Sequence, residues 1–198
     1  MKKYDQVYFD SWYRDKDSPV GSRSALARSV ALAVALTESI LDRPLRSVLD
    51  VGCGEGRWQP ELNRQRPRAS YLGIDSSEYA VERFGARRNL MLGSFEDLEL
   101  HVFDSPFDLV ICSDVMHYLT DAQIIRGLPS LVDCVEGVAL LDVFTGSDEV
   151  EGDHVDFQLR SAAAYRKMFR DSGLVPIGMQ AYVPLEVAEI LEELDLPG

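Results

Sequence analysis

Cysteine is scarce in this sequence, and its three copies do not form pairs of the usual kind. Cys53, Cys112 and Cys134 are an odd number, and none of them belongs to a CxxC motif. Disulfide frameworks use even numbers of cysteines, and structural zinc sites use closely spaced pairs. The pattern argues against both kinds of site and predicts a compartment that keeps thiols reduced.

Long hydrophobic runs are also missing. The longest apolar run is VALAVAL at residues 30–36, whereas a helix that spans a membrane needs about 20 apolar residues. Met1 begins the polar segment MKKYDQ, which lacks the apolar core of a signal peptide. We therefore expect a soluble, cytoplasmic protein that has no membrane partner.

Positive charge is in short supply. The 20 lysines and arginines face 33 aspartates and glutamates, so the formal net charge is −13. Such a field repels the backbones of nucleic acids. The densest basic cluster is Arg64, Arg66 and Arg68, and solvated arginines beside a loop proline explain it better than a nucleic-acid site does. No nucleic-acid partner is expected.

The 198 residues suit a single domain that spans 1–198. Within it, residues 1–44 are interpreted as an N-terminal lid or cap segment followed by a helix. The stretch YFDSWYRD (8–15) is a plausible lid over a binding site, and plain packing onto the sheet is its alternative. A helix is predicted from Ser22 or Ser24 to about Leu41, because apolar residues recur there at helical spacing.

Strand and helix patterns alternate in the rest of the chain. Strands are predicted at 47–51, 70–75, 89–93, 107–114, 137–144 and 175–183. The helix after the second strand is expected to start at a serine cap and to stop at Gly85. Several strands are apolar throughout, as in a parallel sheet covered on both faces. The expected fold class is a doubly wound, mainly parallel, Rossmann-like α/β sheet with helices on both faces and ligand loops at the carboxyl ends of its strands.

No clear seventh strand follows the sixth. Either VPIGMQAYVPL (175–185) bends into two short strands, or an edge strand is missing. A bare edge would invite pairing with another chain, so a homodimer is a possible assembly.

Three glycines follow the first strand at alternate positions. In VLDVGCGEGRW (48–58) they are Gly52, Gly54 and Gly56. One glycine could serve a turn alone, but three between a buried strand and a helix favour a backbone that contacts a ligand. The order GxGxG differs from the dinucleotide fingerprint GxGxxG, and Glu55 inside the loop would repel a pyrophosphate. Both features disfavour a nicotinamide-dependent oxidoreductase.

This stretch resembles motif I of the class I S-adenosylmethionine-dependent methyltransferases, an acid followed by GxGxG. The resemblance implies that Gly52, Cys53 and Gly54 lie against the amino-acid part of the cofactor, S-adenosyl-L-methionine, and that Asp50 helps to hold its ammonium group. A sulfonium cofactor also suits acidic surroundings. The resemblance extends over about residues 45–180 and is closest to small-molecule methyltransferases of types 11 and 12.

Two later segments extend the implied cofactor site. In YLGIDSS, Asp75 stands where the family binds both ribose hydroxyls, and Ser76 beside it would lie near the adenine edge or cap a helix. LMLGSFEDL resembles motif III, but Ser94 stands at the place of the usual aspartate. Adenine contacts would then fall to the Phe95 backbone or to Glu96.

FDLVICSDVMHYL (107–119) resembles the fourth motif, which flanks the transferable methyl group. Ser113 is implied to line the cofactor, and His117 is the candidate general base. A base is needed only if the acceptor arrives protonated, and a structural histidine is the alternative. Asp114 and Asp142 could hold Mg²⁺ as in some relatives, but nothing else of that pattern is present, so no metal is expected.

The resemblance implies an enzyme that transfers a methyl group to a small-molecule acceptor and releases S-adenosyl-L-homocysteine. The acidic segment 146–157 is a solvated loop by default. If it lines the site, it favours a neutral or cationic acceptor such as an amine. A catalytically inactive cofactor-binding module with a regulatory or scaffolding role is the alternative function, since the same binding residues would serve it.

Overall fold

A computed structural model describes residues 4–14, 22–149 and 153–195. One seven-stranded sheet forms its centre, in the order β3-β2-β1-β4-β5-β7-β6. The strands are Ser47–Val51 (β1), Ser70–Asp75 (β2), Leu90–Leu92 (β3), Phe107–Ser113 (β4), Val135–Asp142 (β5), Leu174–Gly178 (β6) and Ala181–Pro184 (β7). Strands β1 to β5 pair in parallel, and β7 runs antiparallel to β5 and β6. The expected fold class is confirmed.

Helices accompany the sheet on both faces. They are Gln6–Tyr13 (α1), Arg23–Leu41 (α2), Trp58–Gln65 (α3), Glu78–Arg88 (α4), Asp121–Asp133 (α5), Ala162–Asp171 (α6) and Leu185–Asp195 (α7). Short 3₁₀ helices lie at Phe95–Leu100 and Met116–Tyr118. Two apolar clusters fill the layers, one built around Ile124 and Phe169 and the other around Val30 and Trp58.

Strand order places a topological switch between β1 and β4. From β1 the chain runs outward to β2 and β3, then returns to the other side of β1 as β4 and β5. Loops that leave the carboxyl ends of β1 and β4 therefore diverge and open a crevice between them. The glycine loop leaves β1 at this point.

Residues 174–184 form a hairpin, so the first of the two alternatives for the end of the sheet is confirmed. The turn consists of Met179 and Gln180, and both residues have a positive φ, 52° and 60°. Strand β6 is the edge of the sheet, and Pro176 within it has no amide hydrogen to offer a further strand. Pairing of this edge into a homodimer stays a prediction.

The predicted start of α2 agrees with the structure, and the predicted end of α4 does not. Ser22 caps α2 by accepting the amide hydrogen of Ala25, as expected. The prediction that α4 stops at Gly85 is wrong, because the helix continues to Arg88 and ends where Asn89 adopts φ 55°. Gly85 serves packing instead: a Cβ there would lie 3.1 Å from the carbonyl oxygen of Leu90 in β3.

Helix α2 is long and apolar enough, by length and composition alone, to cross a membrane. The same test is passed by core helices of soluble proteins, and in this structure α2 packs on β4, β5 and α3. Val30, Ala33, Val34 and Thr37 are buried in that contact.

Candidate functional site

The glycine loop turns sharply from β1 towards α3. Gly52, Gly54 and Gly56 have φ values of +74°, +55° and +68°, a region that side chains rarely allow. The amide hydrogens of Gly52 and Cys53 both reach the carbonyl oxygen of Ile74 in β2, at 2.7 and 3.1 Å. These bonds fasten the start of the loop to the neighbouring strand.

The three glycines have different neighbours. A Cβ on Gly52 would lie 2.2 Å from Val115, and one on Gly56 would lie 2.8 Å from Leu90. The fold itself therefore requires those two glycines. A Cβ on Gly54 would instead meet α1, at 3.3 Å from the ring of Phe9 and 3.4 Å from the hydroxyl of Tyr13. Gly54 is thus the glycine that faces α1.

Asp75 ends β2 directly beside this loop. One carboxylate oxygen accepts the amide hydrogen of Gly54 at 2.6 Å, and the other accepts that of Ser77 at 2.8 Å. Burial raises the pKa of Asp75, while the two amide hydrogens act in the opposite direction. Each carboxylate oxygen can accept a second hydrogen bond, so the group can still bind two neighbouring hydroxyls.

Asp50 lies within β1 and is almost fully buried, with 3% of its surface exposed. It accepts the hydroxyl hydrogen of Tyr71 at 2.6 Å. Burial raises the pKa of Asp50 to about 7. Burial also raises the pKa of the neighbouring Cys53 thiol, so that side chain is an uncharged wall of the loop.

A cavity of about 130 Å³ joins these elements. Its lining includes Tyr13, Asp50, Gly52, Arg57, Ser113 and Asp114. Sites for small molecules usually measure roughly 300–1,000 Å³. The cavity is smaller because α1 lies over the glycine loop and contributes Tyr13 to its wall.

Helix α1 is fastened to the loop at several points. Arg14 forms an ion pair with Glu55, and the hydroxyl of Ser77 donates to the carbonyl oxygen of Tyr4. Arg57 lies 5.3 Å from the ring centroid of Tyr13. The charge of Glu55, which argues against a pyrophosphate in this loop, is here paired with a cation from α1. Asp15, the last residue of the predicted lid, lies outside the described residues.

Ser113 and Asp114 bring the end of β4 to the same cavity. Asp114 has φ 62°, an uncommon value for a residue other than glycine and one often found at functional sites. The Ser113 hydroxyl donates to Asp142 at the end of β5, at 3.2 Å. Burial and the Asp142 carboxylate raise the pKa of Asp114 to about 6, although water screens part of this effect because 59% of the side chain is exposed.

His117 is fully buried behind Asp114. Its ring contacts Tyr118, Phe144 and Phe157, with centroids 4.3, 5.3 and 5.1 Å away. Nδ1 accepts the amide hydrogen of Phe144 at 3.4 Å, which leaves the ring proton on Nε2, 3.9 Å from Asp114 Oδ1. The distance from Nε2 to Asp114 exceeds that of a hydrogen bond, and the role of general base stays a prediction.

The segment predicted to contact adenine, residues 94–96, follows strand β3. Ser94 precedes a 3₁₀ helix and its hydroxyl donates to Asp97 at 2.7 Å. The Phe95 ring is buried in the core, so only its backbone can serve a ligand. Glu96 lies 3.9 Å from Arg126 of α5. Ser76 is exposed, and the helix cap that was one reading of it belongs to Ser77.

Sequence reasoning missed two residues of this region and undervalued a third. Tyr71 orients Asp50, and the apolar pattern of β2 gives no sign of that bond. Arg160, buried in contact with the 116–119 turn, follows no motif. Asp114 was considered only as a magnesium ligand. Among residues 4–14, 22–149 and 153–195, no group of three or more histidine, cysteine or acidic side chains is arranged to hold a metal ion.

Comparison with known proteins agrees with this geometry. Residues 48–136 match the family described as a methyltransferase domain. The chain is 32% identical over 112 residues to trans-aconitate 2-methyltransferase of Deinococcus radiodurans, an alignment that covers 57% of this chain and 39% of that enzyme. The chain therefore spans about two fifths of the length of the curated relatives that it matches.

Solved structures extend the likeness to nearly the whole fold. The sugar N-methyltransferase KedS8 of a Streptoalloteichus species has a TM-score of 0.65 at 17% identity, over 89% of this chain and 92% of its own. Magnesium protoporphyrin IX methyltransferase of Synechocystis with bound S-adenosylmethionine has a TM-score of 0.60 at 20% identity, over 91% and 93%. The sheet order, the glycine loop and Asp75, together with these matches, support a class I S-adenosylmethionine-dependent methyltransferase fold for the chain.

Proposed function

We propose that this chain transfers the methyl group of S-adenosylmethionine to a small-molecule amine. The observation that carries the proposal is the cavity at the switch between β1 and β4, where Asp50 and Gly52 meet Ser113 and Asp114. Asp75 adjoins it through its bond to Gly54 of the same loop. Bound there, the cofactor supplies an activated methyl group, and the protein has to align the acceptor and exclude water.

The residues present fit the cofactor. Asp75 has two acceptor oxygens for the ribose hydroxyls, and Gly54 leaves space where a side chain would stand. We assign the ammonium group to Asp50 and the carboxylate to Arg57, which lines the same cavity. Our candidates for contact with the adenine remain Ser76, Ser94, the Phe95 backbone and Glu96. Gly52, Cys53 and Ser113 would line the rest of the cofactor.

The acceptor side favours a cation. Carboxylates and phenol rings gather on this side of the site. Burial and the carboxylates of Asp114 and Asp153 raise the pKa of Tyr118. The hydroxyls of Tyr4, Tyr8 and Tyr13 belong to the same cluster. Burial and the nearby carboxylates of Asp75 and Asp153 raise the pKa of Tyr4 to about 12, so its hydroxyl stays uncharged. Carboxylates and aromatic faces attract an ammonium ion.

Methylation of a carboxylate is the other chemistry that the relatives suggest, since one of them is named for trans-aconitate. The acceptor-side cluster would repel such a substrate. An amine binds as the ammonium ion but attacks only after losing a proton. Asp114 faces the cavity and is a carboxylate at neutral pH, so we assign the removal of that proton to Asp114, with His117 behind it.

Helix α1 is our proposed lid. It covers Gly54 and is held by the ion pair of the partly exposed Arg14 with the buried Glu55. Because the cavity beneath it is small, α1 has to move before the cofactor binds, and its return would exclude water from the reaction. Residues 1–44 would then act as one cap on a single domain.

Calorimetric titration of the purified chain with S-adenosylhomocysteine tests the proposal, with NAD as the control. We expect micromolar binding of the first and none of the second. A change in Trp12 fluorescence, absent from a Trp12→Phe variant, would report movement of α1. Methyl transfer is then assayed with matched amines and carboxylic acids. Binding without transfer to any acceptor would favour the inactive cofactor-binding module.

Cofactor binding should weaken in acid because of Asp50. Its pKa is about 7 in the free protein, and pairing with the cofactor ammonium requires the carboxylate. Below pH 7 a proton must leave before that pair forms, so affinity for S-adenosylhomocysteine should fall by up to about tenfold per pH unit. Titrations from pH 8 to pH 5.5 measure this.

Tyr71→Phe provides the matched comparison. The Tyr71 hydroxyl stabilises the charged form of Asp50, so its removal should raise the pKa of Asp50 further. The acid loss of affinity should then begin at a higher pH than in the wild-type protein. Identical pH profiles for the two proteins would contradict the assignment of Asp50 to the ammonium group.

A further inference from the structure

Arg160 is a buried charged residue that the proposed chemistry does not use. Only 8% of its surface is exposed. Its Nε lies 2.6 Å from the Asp121 carboxylate, and its two terminal nitrogens donate to the carbonyl oxygens of Met116, at 3.1 Å, and of Leu119. One of them also reaches the Tyr165 hydroxyl at 3.3 Å. A buried guanidinium is costly unless its donors are used, and here they are spread over four acceptors.

The two carbonyls that Arg160 binds flank His117 and Tyr118. This short turn directly follows Asp114 and carries the residues of the acceptor side. The Met116 carbonyl oxygen also accepts the amide hydrogen of Leu119 within this turn, at 3.2 Å, and the planar fork of an arginine can hold the carbonyls of Met116 and Leu119 in a fixed relation. The side chain of Arg160 therefore fixes the turn after β4.

The main chain of Arg160 fixes a different segment. Its carbonyl oxygen accepts the amide hydrogen of Gly146 at 2.7 Å, which closes the stretch after β5 into a loop. The described part of that loop, 143–149 and 153–160, contains most of the acidic segment 146–157. The backbone of Arg160 thus belongs to the loop after β5, and its side chain binds the turn after β4.

Further bonds join the same two segments. Gln158 donates its amide hydrogen to the His117 carbonyl oxygen at 2.7 Å, and Tyr118 donates its hydroxyl to the carbonyl oxygen of Asp153 at 3.0 Å. Phe144 donates to His117 Nδ1, and the Phe157 ring packs on that histidine. The turn after β4 and the loop after β5 form one body, with Arg160 at its base.

We infer that Arg160 is a positioning residue for the methyl acceptor: it locks the loop after β5 onto the 116–119 turn, so that Asp114 and Tyr118 face the acceptor in one fixed arrangement. This inference rests on the proposed function. The inferred role concerns the acceptor half of the site and not the cofactor half, because none of the bonds of Arg160 reaches the glycine loop, Asp50 or Asp75.

The test compares Arg160→Met, which keeps an unbranched side chain of similar length but removes every donor, with Arg170→Met, which changes an exposed arginine of α6. Misplacement of reacting groups by about 1 Å can cost 10²-fold in rate. We expect Arg160→Met to lower kcat about 10- to 100-fold and raise the acceptor KM, while affinity for S-adenosylhomocysteine stays within about twofold. Arg170→Met should match the wild-type protein in all three values.

Two further readouts keep the result interpretable. Millimolar guanidinium should restore part of the rate of Arg160→Ala and none of the rate of Asp114→Asn. Hydrogen exchange of Arg160→Met should rise in 114–119, 144–149 and 153–160 and stay unchanged in 47–56, whether or not an acceptor is known. Equal exchange in wild type and variant, or a matching loss of cofactor affinity, would overturn the inference. Failure of the wild-type protein to bind S-adenosylhomocysteine, with the exchange result as expected, would overturn the proposed function alone.

Discussion

Asp114→Asn should lower kcat with an amine acceptor by about 10²–10⁴-fold, the usual contribution of a positioned base. The substitution keeps the shape of the side chain and removes its ability to take a proton. Asparagine also tolerates the positive φ of 62° at this position, so the turn should persist. Affinity for S-adenosylhomocysteine should remain close to that of the wild-type protein, because Asp114 lies on the acceptor side.

The pH profile makes this prediction specific. The pKa of Asp114 is raised to about 6, so the base form is lost as pH falls through about 6. The kcat of the wild-type enzyme should decline there, and the residual rate of Asp114→Asn should lack that limb. Asp104→Asn, a change at an exposed loop residue, is the matched control. A full rate in Asp114→Asn together with a collapse in His117→Asn would return the general-base role to His117.

Most of the parallel strands could be predicted closely from sequence because they are apolar runs that are buried on both faces of the sheet. The edge strand β3 is the exception, since its Leu92 is exposed. Segments 47–51 and 70–75 match β1 and β2 residue for residue. The hairpin that ends the sheet was only one of two alternatives. Its turn, Met179 and Gln180, uses two left-handed residues without the asparagine or glycine that normally signals such a turn.

That Asp50, the glycine loop and Asp75 lie together could be predicted because residues near the carboxyl ends of neighbouring parallel strands come to the same edge of the sheet. The acceptor half depends on contacts between distant segments, such as Arg160 with Asp121 and His117 with Phe144. The resemblance to the fourth motif pointed to His117, but only the tertiary structure shows which of its ring nitrogens accepts a hydrogen bond.

Asp75→Ala should produce the largest loss of cofactor affinity. Hydrogen bonds to a charged group are worth about 1.5–3 kcal/mol, so the Kd for S-adenosylhomocysteine should rise by at least about 10- to 150-fold. The same carboxylate also organises the loop through Gly54 and the start of α4 through Ser77, so its removal leaves two buried amide hydrogens without their acceptor. Lower affinity alone therefore does not prove contact with the ribose.

An analogue of S-adenosylhomocysteine that lacks both ribose hydroxyls separates the two effects of Asp75. The wild-type protein should bind this analogue much more weakly than the parent compound, because Asp75 then has nothing to accept. Asp75→Ala should bind the two compounds with nearly equal Kd, since the group that distinguishes them is gone. If the variant still preferred the parent compound by the wild-type ratio, another residue would hold the ribose, and Asp75 would serve only to shape the loop.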